Sequence, residues 1–464
     1  MYKDEQIAYT EKIRASLAHE KKPLALVHTF GCQQNESDSE HLRGMLAQMG
    51  YGFTESLDEA DLVLYNTCAV RQNAELRVYG KLGELVGYKR KKPDMIIAVC
   101  GCMMQQEQAA LEIKKRYRHV DIVFGTFMLS QFSRILWEHI STEKRVFDLS
   151  DDPCGSFDDM PIVRDSKYNA WLSVMYGCNN FCSYCIVPYV RGRERSRSHE
   201  SILEEAARLV RDGVKDITLL GQNVNSYGKD RQEEINFPEL LKRVNAIEGD
   251  FRIRFMTSHP KDATQELFSA IAQCEKVVRH VHLPFQSGSD RILRLMNRRY
   301  TRDDYIGLCS LAREYMPGLS ITSDVIVGFP TETEEDFEDT LDVVKAVRFD
   351  SLFTFQYSKR SGTPAAEMEG QIEKSAVQNR FERLNAVQDG ISLEINEALV
   401  GKTVRVLCDK YEDGRMTGRT DSNKIVNFDC NGKKAGQFAN IKITQAQTWS
   451  LKGEYAGCLT ETEE

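Results

Sequence analysis

The run Trp171-Leu-Ser-Val-Met-Tyr176-Gly-Cys178-Asn-Asn-Phe-Cys182-Ser-Tyr-Cys185 decides how the chain is read. Trp171–Tyr176 is an apolar stretch of strand length. Three cysteines follow it within eight residues. Three thiolates so placed can hold three irons of a [4Fe-4S] cluster and leave the fourth iron open to another ligand. Zinc is the competing reading, but it usually takes four protein ligands. No fourth cysteine or histidine lies close by, and His199 is the nearest candidate.

Downstream of this loop, strand candidates recur at Asp216–Leu220, Arg252–Met256, Val281–Pro284, Ile321–Val327 and Leu352–Gln356. Helix candidates lie between them at Ile202–Arg211, Phe237–Ile247, Asp290–Asn297, Arg302–Tyr315 and Glu334–Val347. Six βα units predict a partial (β/α)6 barrel over 167–370, short of the eight units of a closed one. Residues 371–399 read as a connecting amphipathic helix, and 400–464 as short strands between glycine-bearing turns, a small β-barrel. From Lys402 to Gln447 there are nine Lys/Arg against five Asp/Glu, a basic module on a chain whose net charge is −8.

Upstream, three apolar runs end at cysteines: Ala25–Cys32, Leu62–Cys68 and Met95–Cys102. Each precedes a helical pattern, such as Ser37–Met49 or Ala74–Tyr88, and the spacing is about one βα unit. With a fourth strand at Val120–Phe124 and a helix at Leu129–Ile140, residues 1–149 are expected to form an open parallel α/β sheet. Ligands of such sheets sit outside the carboxyl ends of the strands, so Cys32, Cys68 and Cys102 can converge there. Cys100 competes with Cys102, since residues two apart in a strand face one side. Residues 150–166 are acidic and turn-rich, a linker.

The whole chain is 464 residues with 41% hydrophobic and 28% charged residues, an ordinary globular composition. No apolar run approaches the roughly 18 residues of a membrane span, and Met1–Pro23 carries no signal-like stretch. A cytoplasmic location without membrane contact is expected. Thirteen cysteines in such a chain point to metal or catalytic use. Apart from Cys100, those outside the two trios (154, 274, 309, 408, 430, 458) read as buried or surface thiols. Arg191, Arg193, Arg195 and Arg197 alternate, and an extended segment would put them on one face for phosphate or carboxylate.

The cysteine loop at the first strand of a βα barrel resembles the radical S-adenosylmethionine superfamily. That resemblance implies that the open iron binds S-adenosylmethionine, that the reduced cluster cleaves it to a 5′-deoxyadenosyl radical, and that Tyr184 lies against the adenine. Gly31-Cys32-Gln-Gln-Asn-Glu-Ser-Asp-Ser-Glu40, Asn66-Thr-Cys68-Ala-Val-Arg71, Gly101-Cys102, Tyr189–Arg197 and Ile326-Val-Gly-Phe-Pro330 resemble the methylthiotransferases, whose second [4Fe-4S] cluster would sit on Cys32, Cys68 and Cys102. The tail is similar to the RNA-binding TRAM module.

Gly221–Tyr227, Thr257-Ser-His-Pro260, Leu283–Ser289 and Gly418–Lys424 look most like the MiaB branch. That branch implies 2-methylthiolation of N6-isopentenyladenosine at position 37 of tRNA, with two S-adenosylmethionine molecules, an anticodon stem-loop as partner and an external electron donor. On this resemblance Gln222, Asn223, Ser258, Gln286 and Asp324 belong to the S-adenosylmethionine or substrate pocket. Arg191, Arg193, Arg419 and Lys424 would contact RNA. The superfamily's glycine-isoleucine-glycine pattern wants a glycine where Asp324 stands, and its acidic residue moves to Glu332; Thr331 or Thr333 reads equally well as a helix cap. The rival readings are a methylthiotransferase for threonylcarbamoyladenosine or a ribosomal protein, and a non-catalytic iron–sulfur carrier or zinc-stapled RNA-binding protein.

Overall fold

A computed structural model describes residues 2–17, 21–70, 72–151, 160–231 and 235–457. Part of the expected linker (152–159), Arg71, Cys154 and Cys458 lie outside them. Among the described residues, no helix is long and apolar enough to cross a membrane. The chain forms two compact units.

The first unit is built on a six-stranded sheet in the order Gly52–Phe53, Leu24–Phe30, Leu62–Thr67, Ile96–Gly101, Ile122–Phe124, Val146–Asp148, with every neighbouring pair parallel. The central strand Leu62–Thr67 is buried along its whole length, as expected where helices cover both faces. One core gathers Ala25, Leu42, Leu64, Ala98 and Phe124; the other gathers Val63, Val78, Leu85, Ile97 and Ile113. The two edge strands that the sequence does not announce have two and three residues, too short for a periodic signal. The charged N-terminal stretch is a helix, Tyr2–Leu17, with Ile13 fully buried. The chain order places second, first, third and fourth strands side by side, so the direction of winding reverses between Leu24–Phe30 and Leu62–Thr67, a switch point at which such sheets bind ligands.

In the second unit, parallel strands Asn169–Ser173, Asp216–Leu220 and Arg252–Phe255 form one sheet; His280–His282, Ser320–Val327 and Ser351–Gln356 form another. A parallel bridge pairs Ile253 of the first sheet with Val277, in the segment that leads into His280–His282 of the second. Asn169–Ser173 and Ser351–Gln356 are the outer strands, so the barrel is partial, as expected. Its helices include Gln265–Gln273, which is absent from the helix candidates read from the sequence. Asp290–Leu295 is capped by Ser289. Helix Lys374–Glu397 leads to a closed barrel of Thr403–Glu412, Arg415–Thr420, Ile425–Phe428, Leu451–Tyr455 and Phe438–Ala446.

The small barrel is fastened to the large one inside this unit. Arg252 Nη1 donates to the Arg419 carbonyl at 2.9 Å, and Arg254 Nη2 to the Thr420 carbonyl at 2.8 Å. Both guanidinium groups also pair with Asp216. Lys424 Nζ meets Asp350 Oδ1 at 2.8 Å, with both side chains only 11–12% exposed. Lys424, expected to face phosphate, is therefore a docking residue.

Candidate iron–sulfur centres

Three of the expected ligands sit at the switch point of the first unit. Cys32 stands at the start of helix Gln33–Gln48 in extended backbone, its sulfur facing the helix-start N–H groups. Cys68 follows strand Leu62–Thr67, and Cys102 follows Ile96–Gly101. The Cys32 and Cys68 thiols are hydrogen-bonded to each other, and the Cys102 sulfur is close enough to act on Cys68 and to be acted on by Cys32. Asn35 Nδ2 donates to Asn66 Oδ1 (3.1 Å) and to the Thr67 carbonyl (3.2 Å), while Asn66 Nδ2 donates to the Asn35 carbonyl (2.9 Å). This asparagine pair ties the first two cysteine loops together. Gly101 has φ +98°, and a Cβ there would lie 2.4 Å from Asn66 Oδ1, so only glycine turns the third loop inward.

That turn also separates two cysteines expected to share a side. Cys100 is sealed in the sheet core with Ala98 and Phe124, whereas Cys102 packs with Ala69, Ile186 and Val190. The positive φ at Gly101 breaks the strand alternation between them.

The pocket favours one thiolate among the three, at Cys32. The Cys32 thiol is brought down to about 6 by its bond to Cys68, against the opposing effect of burial, with further help from Arg191 and the N–H groups of Asn35 and Gln34. Cys68, the other half of that bond, is pushed up. Burial raises Cys102, which Arg191 counteracts. Arg191 Nε donates to Cys102 Sγ at 3.1 Å and its Nη2 to Asp38 Oδ2 at 2.7 Å; the arginine side chain is 7% exposed and the aspartate 2%. Three converging thiols with a buried cation and N–H donors on their sulfurs suit an iron–sulfur cluster, whose charge and sulfur hydrogen bonds set its potential. Among the described residues, no group of three or more His, Cys, Asp or Glu side chains is arranged to hold a single metal ion.

Arg191 corrects an expectation. Only the later part of the arginine run is extended, with Arg195–Ser196 a short strand; Val187–Arg191 is a short helix with Pro188 in its first turn, so Arg191 turns inward to Cys102 and Asp38. Arg197 is also buried, bonded to the Ser173 carbonyl (2.7 Å) and to Glu205 (3.0 Å). Arg193 is exposed.

In the eight-residue cysteine loop, Cys178 belongs to the first unit, where its N–H donates to the Gly192 carbonyl at 3.0 Å. Cys182 and Cys185 belong to the second. There Arg298, 6% exposed, points Nη1 at Cys182 Sγ at 3.5 Å and Nε at the Tyr300 hydroxyl at 2.8 Å. Asn297 donates to the Phe181 carbonyl at 2.9 Å, and Phe181 has φ +47°. Tyr184 packs on Ile292, Met296, Phe329 and Ala365. Each cysteine trio thus has a buried arginine on one sulfur. Neither arginine was readable as such, because its partner is distant in sequence.

The remaining pocket candidates lie along the partial barrel. Asn223 Nδ2 donates to Asp262 Oδ2 at 2.8 Å. Ser258 donates to the His282 carbonyl. Gln286, at φ +68°, exchanges backbone bonds with Asp324 and Ile326 (2.9 and 3.0 Å). The Asp324 carboxylate is 3.5 Å from His282 Nε2, and Gln222 is half-buried. Glu332 is buried and accepts from the Gly328 N–H and from Arg380, each at 2.8 Å; its bond to Gly328 holds the turn after Ser320–Val327. Thr333 caps helix Glu334–Val347 in a reciprocal box with Asp336, so the capping alternative is the one realised. Arg419 is partly exposed, 3.8 Å from Asp409.

Family models match three segments: the Radical SAM superfamily over 172–344, Uncharacterized protein family UPF0004 over 25–125 and the TRAM domain over 397–456. A tRNA-2-methylthio-N(6)-dimethylallyladenosine synthase of Acetivibrio thermocellus is 54% identical over 93% of this chain and 91% of its own length. One from Alkaliphilus oremlandii is 51% identical over 94% and 93%. Among solved structures, the radical S-adenosylmethionine methyltransferase TsrM from Kitasatospora setae, with cobalamin and a [4Fe-4S] cluster bound, aligns with a TM-score of 0.55 at 15% identity. It covers 86% of this chain and 81% of that one, a likeness of fold.

Proposed function

Since the chain belongs to the tRNA-2-methylthio-N6-dimethylallyladenosine synthase family of radical S-adenosylmethionine enzymes, we infer that it methylthiolates carbon 2 of N6-isopentenyladenosine at position 37 of tRNA. The observation that carries this reading is the convergence of Cys32, Cys68 and Cys102, from three separate strands, beside the buried Arg191–Asp38 pair. A thiolate trio additional to the one in the barrel's cysteine loop has a use in sulfur insertion that a simple electron carrier lacks.

The carbon-2 hydrogen of adenine is beyond side-chain acids and bases, so cofactor chemistry must remove it. When bound, a cluster on Cys178, Cys182 and Cys185 with S-adenosylmethionine supplies the hydrogen-abstracting radical, and a cluster on Cys32, Cys68 and Cys102 supplies a site for the inserted sulfur. The protein's own residues hold and insulate these groups. Asn35 and Asn66 fix the first two cysteine loops, and Gly101 turns the third inward. Arg191 and Arg298 offset thiolate charge. Tyr184, Gln222, Asn223, Ser258, Gln286 and Asp324 are proposed to surround S-adenosylmethionine and the base. Residues 1–149, 167–370 and 400–464 are the proposed working domains, with exposed Arg193 and partly exposed Arg419 left as RNA contacts, and cytoplasm with an external electron donor as the setting.

The test is an anaerobic assay on reconstituted protein, with an isopentenylated anticodon stem-loop, S-adenosylmethionine, sulfide and a reductant. Nucleoside mass spectrometry should show the 2-methylthio product. A well-folded Cys32/Cys68/Cys102→Ala variant should still make 5′-deoxyadenosine but no product. Full turnover by that variant would sink the reading.

A further inference from the structure

The last two strands of the large barrel carry exposed apolar surface. In Ser320–Val327, residues Ile321, Val325 and Val327 are buried among the helices; side chains alternate across a strand, so Asp324 and Ile326 look into the barrel. The strands pair in parallel with Asp324 opposite Phe353 and Ile326 opposite Phe355, and cross-strand partners share a face. Phe353 is 48% exposed and Phe355 39%, whereas their neighbour Leu352 is 5% exposed and faces the helices. Scattered single exposed apolar residues are ordinary, but two phenylalanines aligned on the inner face of an enzyme barrel mark a ligand wall.

The wall is continuous with the cysteine loop. Ile326 and Tyr184 pack on one small cluster of Ile292, Met296, Phe329 and Ala365. On its other side it meets polar groups: the His282 ring lies 6.0 Å from that of Phe353, with Asp324 beside it.

We propose that Phe353, Phe355 and Ile326 form the binding surface for the dimethylallyl chain of the substrate nucleoside, an inference that rests on the tRNA reading above. A branched five-carbon chain without polar atoms matches a phenylalanine pair. A substituent ending in a carboxylate would meet Asp324 on the same face, so the wall selects for the apolar chain and against threonylcarbamoyl. Aromatic carbon closing over the chain removes it from water, and each buried methylene contributes enough that losing both rings costs roughly tenfold or more in affinity.

The test uses the reconstituted full-length protein and fluorescently labelled anticodon stem-loops carrying either N6-dimethylallyladenosine or plain adenosine. Wild type should bind the modified loop more tightly, and Phe353→Ala/Phe355→Ala should reduce that preference by about tenfold or more. Both rings are about half covered, so the thermal unfolding midpoint should fall only modestly; Phe355→Ala alone, read by the same ratio, serves if the pair disturbs folding. A variant that keeps the full preference overturns the wall while leaving the proposed function standing. A wild-type protein that binds both loops equally also overturns the wall, while the turnover assay above decides the function separately.

Discussion

Replacing Arg191 with methionine removes a buried cation that touches two partners at once. Its Nη2 is 2.7 Å from Asp38 and its Nε 3.1 Å from the Cys102 sulfur, and all three side chains are buried. Removing one partner of a buried ion pair costs about 3–5 kcal/mol, chiefly because the other charge is left without compensation. Asp38 keeps a bond from Gln34 Nε2 at 3.2 Å, which puts the expected loss near the lower end, about 3 kcal/mol. Adding Asp38→Asn removes the stranded charge, so the double variant should be closer to wild type than the single one, within ~1 kcal/mol. Guanidinium unfolding of the reduced, metal-free chain reads this out. Trp137, on helix Phe132–Thr142 against the first unit's core, serves as reporter once Trp171 and Trp449 are changed to phenylalanine. A loss below ~1 kcal/mol for Arg191→Met, or a double variant as unstable as the single, would show that the pair does not hold this pocket.

Wild type should bind about eight irons, as two four-iron clusters require, and Cys178/Cys182/Cys185→Ala about half of that with no reductive cleavage of S-adenosylmethionine; cleavage retained by the variant would refute the assignment. Changing the exposed Arg415, Lys434 and Lys442 to glutamine should weaken tRNA binding and flatten its dependence on salt, by about 0.7 in the log–log slope for each phosphate of single-stranded RNA that is no longer neutralised; an unchanged slope would remove the tail from the RNA interface. Burial raises the Glu40 carboxyl from 4.5 to about 7. The unfolded chain therefore binds fewer protons than the folded one between those values, and Glu40 costs stability increasingly as pH rises through that window. Glu40→Gln should thus raise the melting temperature at pH 8, by an amount equivalent to at most about 3 kcal/mol, and do little at pH 4; equal effects at both pH values would refute the cause.

What was legible in the sequence follows from what the chemistry demands. Ligation needs particular side chains at particular spacings, so the six candidate cluster cysteines stand out. The rule that open sheets gather their ligands at strand ends placed Cys32, Cys68 and Cys102 together although 70 residues of chain separate the first from the last. Buried partners leave no such trace. Arg191 is 153 residues from Asp38 and 89 from Cys102, and Arg298 is 116 from Cys182. Alternation at 191, 193, 195 and 197 suggests an extended ribbon, yet Pro188 lies in a helical turn that directs the first arginine inward. A basic residue in a basic tail reads as a phosphate contact until a carboxylate such as Asp350 is seen beside Lys424. The lumen phenylalanines were silent because an apolar residue in a strand looks the same facing a core or a ligand.

The dock between the two barrels has an evolutionary corollary. Arg252 and Arg254 grip the Arg419 and Thr420 carbonyls, groups that every amino acid possesses. The side chain at 419 can therefore be exchanged while this grip persists, whereas buried Thr420, whose Oγ1 accepts the Lys424 N–H, and the buried Lys424–Asp350 clasp depend on residue identity. A lineage can reshape the outer surface of the tail to follow changes in its RNA while the joint that carries it stays the same.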